Sequence, residues 1–245
     1  MAITVNKHGH ATTDSTVATL NTTWTGGGSS SAGDVLVIIV SWNGTSGSNL
    51  ASVSDSNGSN VWTIQETLDF GGSGIFGAIA TSPNTATVTT ITPHFSPSVN
   101  FIRSFVVSVS GADTVAPINA SDAHFQDAPG TTSNVITSQS GTTATTVDGC
   151  LVVGGSINIT SVTLPDVGSS PITFSSVDSL TNGGDSDCQR IESGTQTTHG
   201  TVAANFSTIV GTDQFGNFMV AIAPVVSAPS STVIPHTPPP IYIFS

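Results

Sequence analysis

The chain has 245 residues, of which 15 are acidic and only three are basic, so its formal net charge is −12. The basic residues, Lys7, Arg103 and Arg190, are too few to build the positive surface that binds nucleic acid or an anionic membrane. Charged residues of all kinds make up 7% of the chain, and Gly, Pro, Ser, Thr and Asn replace the usual helix formers. The composition therefore predicts strands and turns nearly throughout.

The first half of the chain reads as strands separated by polar turns. Residues 2–6 and 15–24 alternate weakly between apolar and polar positions. Residues 35–42 form a continuous apolar run, which is typical of a strand covered on both faces. Asp55-Ser56-Asn57-Gly58 has the Asn-Gly pair of a tight turn and predicts a hairpin between residues 51–54 and 60–66. Further strands are predicted at 75–81, 86–92 and 101–110.

The second half repeats features of the first. Asp148-Gly149 precedes an apolar strand that begins at Cys150, much as Gly33-Asp34 precedes the strand that begins at Val35. Further along, a second apolar segment of the first half has a similar counterpart in the second half: Phe105-Val106-Val107-Ser108-Val109 corresponds to Phe218-Met219-Val220-Ala221-Ile222. Both correspondences are separated by roughly 113–115 residues, as an internal repeat requires.

Two architectures fit this repeat: a pair of tandem sandwiches, or one larger sandwich to which both halves contribute strands. We favour a single jelly-roll-like antiparallel β-sandwich domain over residues 1–226, with 1–112 and 113–226 as its two similar halves. The reason is that Phe125, Val135 and Ile136 interrupt the stretch that would otherwise serve as a linker.

Residues 227–245 form a C-terminal arm of different composition. Its prolines favour an extended conformation, and its last residues are large and apolar. Such an arm can pack on its own sandwich, dock on a neighbour by strand addition or by filling a pocket, or stay disordered. We assign partner binding to Pro238, Pro239, Pro240, Ile241, Tyr242, Ile243 and Phe244.

The residues able to carry chemistry form no catalytic motif. His8-Gly9-His10 places two imidazoles on one face of a strand, but the sequence names no third metal ligand. Asp185-Ser186-Asp187 and the loop at 55–58 are rich in oxygen, and turn preferences explain both without calcium. Nothing places the two glutamates, Glu66 and Glu192, together as an acid–base pair. We therefore predict a protein that is not an enzyme, with no catalytic residue, metal or cofactor.

Two pairs of residues leave alternatives open. Cys150 lies in an apolar run and is expected to be a buried free thiol, although a disulfide with Cys188 would also be compatible with the sequence. Trp42 and Trp62 flank strand ends, where indoles pack in a core or form a platform on which sugars stack.

Three strand-and-turn segments carry a resemblance to a known family. They are residues 33–42, where Gly-Asp leads into an apolar strand ending in Trp42, residues 53–63 around Asn57-Gly58, and residues 107–113. These segments resemble a β-sandwich family common among virion proteins of tailed bacteriophages and related bacterial surface proteins. In composition the chain also resembles the capsid decoration (cement) proteins of such phages. The resemblance covers about residues 30–225 and implies no catalytic residues.

The resemblance implies a non-enzymatic capsid decoration protein that binds the major capsid protein on the outer surface of the virion. We expect it to form a homo-oligomer, for example a trimer. The alternative is a carbohydrate-binding or adhesin-like sandwich on a phage fibre or cell surface, which would use Trp42 and Trp62. A hydrolase on a jelly-roll scaffold would need a cluster of Asp, Glu and His that the sequence does not contain.

Overall fold

The computed structural model describes residues 2–127, 138–139, 143–158, 164–169, 172–181, 188–207 and 214–225. All regular structure in these ranges is β, which confirms the predicted all-β class. No helix found there has the length and apolar character needed to span a membrane. The strands are β1 Thr4–Thr13, β2 Val17–Thr19, β3 Thr22–Thr23, β4 Val35–Asn43, β5 Asn49–Asp55, β6 Thr63–Asp69, β7 Ile75–Pro83, β8 Thr90–Ser110, β9 Ile118–Asp127, β10 Ser138–Gln139, β11 Thr143–Ala144, β12 Cys150–Asn158, β13 Asp166–Val167, β14 Ser175–Thr181, β15 Cys188–Gln196, β16 Thr201–Val202, β17 Asn205–Ser207 and β18 Gln214–Ile222.

The first half is organised around the long strand β8. Its second part lies in a large antiparallel sheet with the order β1-β8-β4-β7-β6. Its first part pairs with β2, β3 and β5 and forms a smaller layer. Between the two parts, Phe101 has a positive φ of 49°, and the register with β4 shifts between Ser41 and Asn43. This corner lets one strand serve both layers.

The second half has a large sheet with the order β14-β15-β12-β18-β9. Two smaller ladders accompany it: β10-β17-β13 and β11-β16. The central strands of the two halves are similarly placed: β4 lies between β8 and β7, and β12 lies between β18 and β15. A jelly-roll topology and a repeat relation between the halves stay predictions.

The two large sheets pack face to face through a shared hydrophobic core, so the arrangement is sandwich-like. On β4, Val35, Val37 and Ile39 point into this shared core, while Leu36 and Ile38 point into a second core under the smaller layer of the first half. A third core lies on the outer face of the second large sheet. The prediction that the strand at 35–42 is covered on both faces is confirmed.

The shared core contains a reciprocal interlock of glycines and aromatic rings. A side chain at Gly77, on β7, would collide with the ring of Phe218 on β18. A side chain at Gly216, on β18, would collide with the ring of Phe70, which follows β6. Each half therefore supplies one gap and one ring that fills the gap of the other half.

The predicted hairpin between residues 51–54 and 60–66 is wrong. The turn itself forms, because Asp55 Oδ1 accepts hydrogen bonds from the backbone N–H groups of Asn57 at 2.9 Å and Gly58 at 3.1 Å. However, β5 pairs with β8 and β6 pairs with β7, so the turn leads from the smaller layer to the large sheet. Local alternation reveals a strand but not its partner.

Cys150 is a buried free cysteine, as predicted, so it does not form the alternative disulfide. Its thiol donates a hydrogen bond to the carbonyl of Val147 at 3.3 Å. Burial, with the charge of Asp148 as a smaller cause, raises the pKa of this thiol. The predicted arm at 227–245 and the loop Asp185-Ser186-Asp187 lie outside the described residues.

Candidate functional site

A polar contact joins the two halves at the seam between the edge strands β1 and β14. His8 and His10 are close to one carboxylate, that of Asp178 on β14: their Nδ1 atoms lie 2.9 Å and 3.1 Å from its Oδ2 atom. The Asp178 side chain is only 10% exposed, whereas the imidazoles remain about one-third exposed. The two histidines of the first half therefore share a partner from the second half of the chain, which the sequence alone did not identify.

In this contact the carboxylate of Asp178 is a hydrogen-bond acceptor that the two histidines share. A carboxylate has lone pairs enough for two N–H donors, and protonation of an imidazole adds an ion pair to the hydrogen bond. Within the ranges that the structure describes, no group of three or more His, Cys, Asp or Glu side chains is arranged to hold a metal ion. The contact holds β1 against β14.

An uncharged groove of about 650 Å³ lies along the same seam. One wall is the start of β1, and the other is formed by the end of β15 and the residues that lead into β14. Apolar side chains and threonines contribute to its lining, among them Ile3, Val5, Leu151, Ile172, Thr195 and Thr197. Such a lining can make both apolar contacts and neutral hydrogen bonds.

A buried carboxyl group lies on the outer face of the second large sheet. Glu192, on β15, is fully buried, and its Oε2 atom accepts a hydrogen bond from the N–H of Gly168 at 2.8 Å. Its Oε1 atom has no hydrogen-bond partner among the described residues. Burial raises the pKa of Glu192 to about 8, against the smaller opposing effects of Gly168, Arg190 and Asn205. This carboxyl group is therefore mainly protonated at neutral pH.

Gly154 and Ser156 complete this polar cluster. Gly154, on β12, leaves room for Glu192, since a Cβ there would lie 3.3 Å from Oε1. Ser156 is paired with Arg190 on one side and Asn217 on the other. No sequence pattern indicates this cluster, because its members lie on three strands. A neutral buried acid can donate a proton, but this one is closed to solvent in the described structure.

Glu66 lies elsewhere, on β6, where its Oε1 atom accepts a hydrogen bond from Ser121 Oγ at 2.6 Å. It is part of the contact between β6 and β9 of the other half. The two glutamates thus bind different elements.

The two tryptophans belong to the core of the first half. Trp42 is only 2% exposed and packs against Phe76 and Phe95, with ring centroids 6.0 Å and 5.2 Å away. Trp62 is half-buried against the same core, and its indole N–H donates to Asp55 Oδ2 at 2.8 Å. The alternative prediction of an exposed sugar platform is therefore wrong for Trp42, because its ring is buried between core side chains.

Arg103 is the basic residue most deeply withdrawn from solvent. Its side chain is fully buried, and its Nη2 atom lies 2.8 Å from Asp14 Oδ1. Its Nη1 atom donates to the carbonyls of Thr13 at 3.2 Å and Ile102 at 3.1 Å. One of the three positive charges of the chain is thus neutralised inside the first half.

Comparison with protein-family models, with curated proteins and with solved structures finds no match. The function is consequently inferred from the residues and their geometry.

Proposed function

We propose that this protein is a non-enzymatic structural component of a virion, a capsid decoration protein that binds the major capsid protein on the outer surface of the shell. The observation that carries the proposal is a surface poor in charge on a layered β framework. Of the three basic residues, Arg103 is buried and Arg190 is half-buried. A surface of this kind favours neutral, hydrogen-bonded protein contacts over binding to phosphates.

Sheet edges that carry few lysines give such a surface a means of assembly. The large sheets end in β1 and β6 in one half and in β14 and β9 in the other. Lysines on edge strands commonly block pairing with other chains, and this chain contains a single lysine, Lys7. Ser and Thr side chains and backbone edges can instead make the wet, extensive contacts of a repeated assembly. We expect a homo-oligomer, for example a trimer, on the shell.

We also infer that the sandwich is jelly-roll-like and that its two halves are repeats. In each half the first strand pairs with the last, and the last pairs with the central strand. The corresponding strands also begin at a nearly constant separation along the chain: β1 and β9 at Thr4 and Ile118, β4 and β12 at Val35 and Cys150, and β7 and β15 at Ile75 and Cys188. This order and spacing support a duplicated strand pattern.

The direct test of the proposed function is the composition of purified virions. Quantitative mass spectrometry should find the protein at a fixed ratio to the major capsid protein, and electron cryomicroscopy should place it on the outer surface. Purified protein should also bind shells from which it has been removed. Its absence from washed particles, or its presence only in the tail, would contradict a role on the capsid.

A small cleft in the first half favours a second candidate, carbohydrate binding on a fibre or cell surface. The cleft has a volume of about 170 Å³, and its lining includes the half-buried Phe76 and Leu68, with the exposed Asn49 and Asp69 as polar neighbours. An aromatic ring beside amide and carboxyl groups suits the apolar and polar parts of a sugar.

The carbohydrate candidate can be tested without disturbing the core. Glycan-array binding should be lost in Asp69→Asn and Asn49→Ala, which alter exposed residues at the cleft. Asp113→Asn, a control in the loop that follows β8, should bind as the unchanged protein does. The absence of binding to any glycan would remove this candidate and leave the capsid proposal untouched.

A further inference from the structure

The groove at the seam contains an unpaired strand edge. The ladder between β14 and β15 starts at Ser175 and Ser193 and continues away from the groove. Beyond it, Gly194, Thr195 and Gln196 pair with β12 on one side and, in the part of the chain that is described, with no strand on the other. An unpaired edge beside apolar side chains suits recognition of an extended peptide by strand addition.

The described chain ends at the mouth of this groove. The N–H of Val225 donates to the carbonyl of Gly111 at 3.0 Å, and Ala112 forms a β-bridge with Pro224. Gly111 in turn packs against the backbone of Ala2 and Ile3, and Ile3 lines the groove. Val225, the last described residue, therefore lies near the start of β1, which forms one wall of the groove.

The composition of residues 226–245 is complementary to the groove. The segment contains no Asp, Glu, Lys or Arg, and the groove has no charged residue in its lining. Its tip, Ile241-Tyr242-Ile243-Phe244, consists of β-branched and aromatic residues that favour strands. In an extended strand, Ile241 and Ile243 would share one face, while Tyr242 and Phe244 would share the other.

We propose that the groove is the docking site of the chain's own C-terminal tip, residues 241–244, which adds a strand at the edge of β15. The tip belongs to the same chain, because an attached segment has a high effective concentration at a site that it can reach. About 17 residues separate Val225 from Tyr242, and at the roughly 3.1 Å per residue of an extended, proline-rich segment this length is sufficient to reach the groove. The proposal is independent of any role in a virion.

Tyr242 offers a specific probe, since it is the single tyrosine of the chain. The experiment measures the rate at which tetranitromethane nitrates Tyr242 in the full-length protein, with the urea-denatured protein as reference. We expect docking to slow nitration at least tenfold. A rate equal to that of the denatured protein would overturn the proposal.

Two variants place a charge on either side of the contact. Thr195→Asp changes an exposed groove residue, and Ile243→Asp changes the tip. Each should raise the nitration rate at least fivefold at unchanged circular dichroism. Thr63→Asp, an exposed threonine on the edge strand β6 of the other half, is the matched control and should leave the rate unchanged. Protection that survives Thr195→Asp would mean that the tip docks elsewhere.

Dilution distinguishes docking of the tip within one chain from docking of the tip on a second copy. If the tip docks within one chain, the protection of Tyr242 from nitration should not change on hundredfold dilution. This should hold whether light scattering shows a monomer or an oligomer. Protection that disappears together with an oligomer on dilution would assign the groove to the tip of a neighbouring copy and would overturn docking within the chain. Neither result depends on whether the protein is found in virions.

Discussion

The outer cores of the two halves differ in content although their central strands are paired in similar ways. The outward face of β4 carries Leu36, Ile38, Val40 and Trp42, all in an apolar core. The outward face of β12 starts with Cys150 and Val152 but continues with Gly154 and Ser156, beside the buried Glu192. The same strand pairing is therefore compatible with an apolar core and with a partly polar core, as long as other residues shield that core from solvent.

The difference extends to the cross-strand partners. Trp42 is paired with Phe76, and the two rings stack. Ser156 is paired with Arg190, and the neighbouring Gly154 with Glu192. Apolar pairs stabilise by burial alone, whereas buried polar pairs must recover the cost of desolvation through hydrogen bonds. The second half is thus the one whose stability should depend on pH.

The largest effect should come from emptying the apolar core. Trp42→Ala removes a buried indole and leaves a cavity next to Phe76 and Phe95. We expect it to lower the free energy of unfolding by about 3–5 kcal/mol, measured by urea denaturation. Trp62→Ala, which removes a half-buried indole from the same core, should cost clearly less. Equal losses would contradict the central position of Trp42.

The next effect should be a change in pH dependence caused by Glu192. Its pKa is about 8 in the folded chain against an ordinary value of 4.5, so the folded state keeps a proton that the unfolded state releases. Its contribution to stability is complete below pH 4.5 and is lost as the pH rises to about 8, by at most about 1.4 kcal/mol per pH unit.

Glu192→Gln should remove this slope, because glutamine has no proton to release. The measurement is the free energy of unfolding of both proteins between pH 5 and pH 8. Glu66→Gln, which changes the other glutamate, is the control and should retain the slope of the unchanged protein. If the free energy of unfolding changed with pH equally in all three proteins, Glu192 would not be the source of the pH dependence.

A smaller effect is expected where the halves meet. Asp178→Asn weakens the contact with His8 and His10, whose imidazoles are partly exposed and therefore screened by solvent. We expect the melting temperature at pH 6 to fall by at most about 4 °C. Asp148→Asn, which affects the exposed pair with His199 inside the second half, should not change it. A larger fall for Asp148→Asn would argue against a clamp at the seam.

The smallest effect should separate two buried serines. Ser156 Oγ has no partner among the described residues, so Ser156→Ala should change the free energy of unfolding by less than about 0.5 kcal/mol. Ser104 Oγ, in the first half, accepts a hydrogen bond from Thr22 Oγ1 at 2.8 Å. Ser104→Ala should therefore cost about 1 kcal/mol. Equal costs would indicate that Ser156 has a partner after all.

Sequence patterns predicted those features that depend on neighbouring residues. The continuous apolar run at β4 indicated a strand covered on both faces, and the spacing of His8 and His10 placed them on one face. The burial of Cys150 followed from its apolar surroundings. Each of these properties is decided within a few positions of the chain.

Features that depend on distant residues could not be predicted in the same way. The partner of the two histidines is Asp178, far along the chain, and Trp42 is buried by Phe76 and Phe95 from other strands. The partners of β5 and β6 were mistaken for the same reason. Burial of Glu192 likewise depends on strands and loops that no local pattern joins.

The interlock of Gly77 with Phe218 and of Gly216 with Phe70 has an evolutionary consequence. A larger side chain at either glycine is acceptable only if the opposing ring becomes smaller, so each pair must change together. The two halves are consequently matched to each other, because each presents one ring and one gap that fit the gap and the ring of the other half. In diverging descendants of this chain, these four positions should co-vary across the halves.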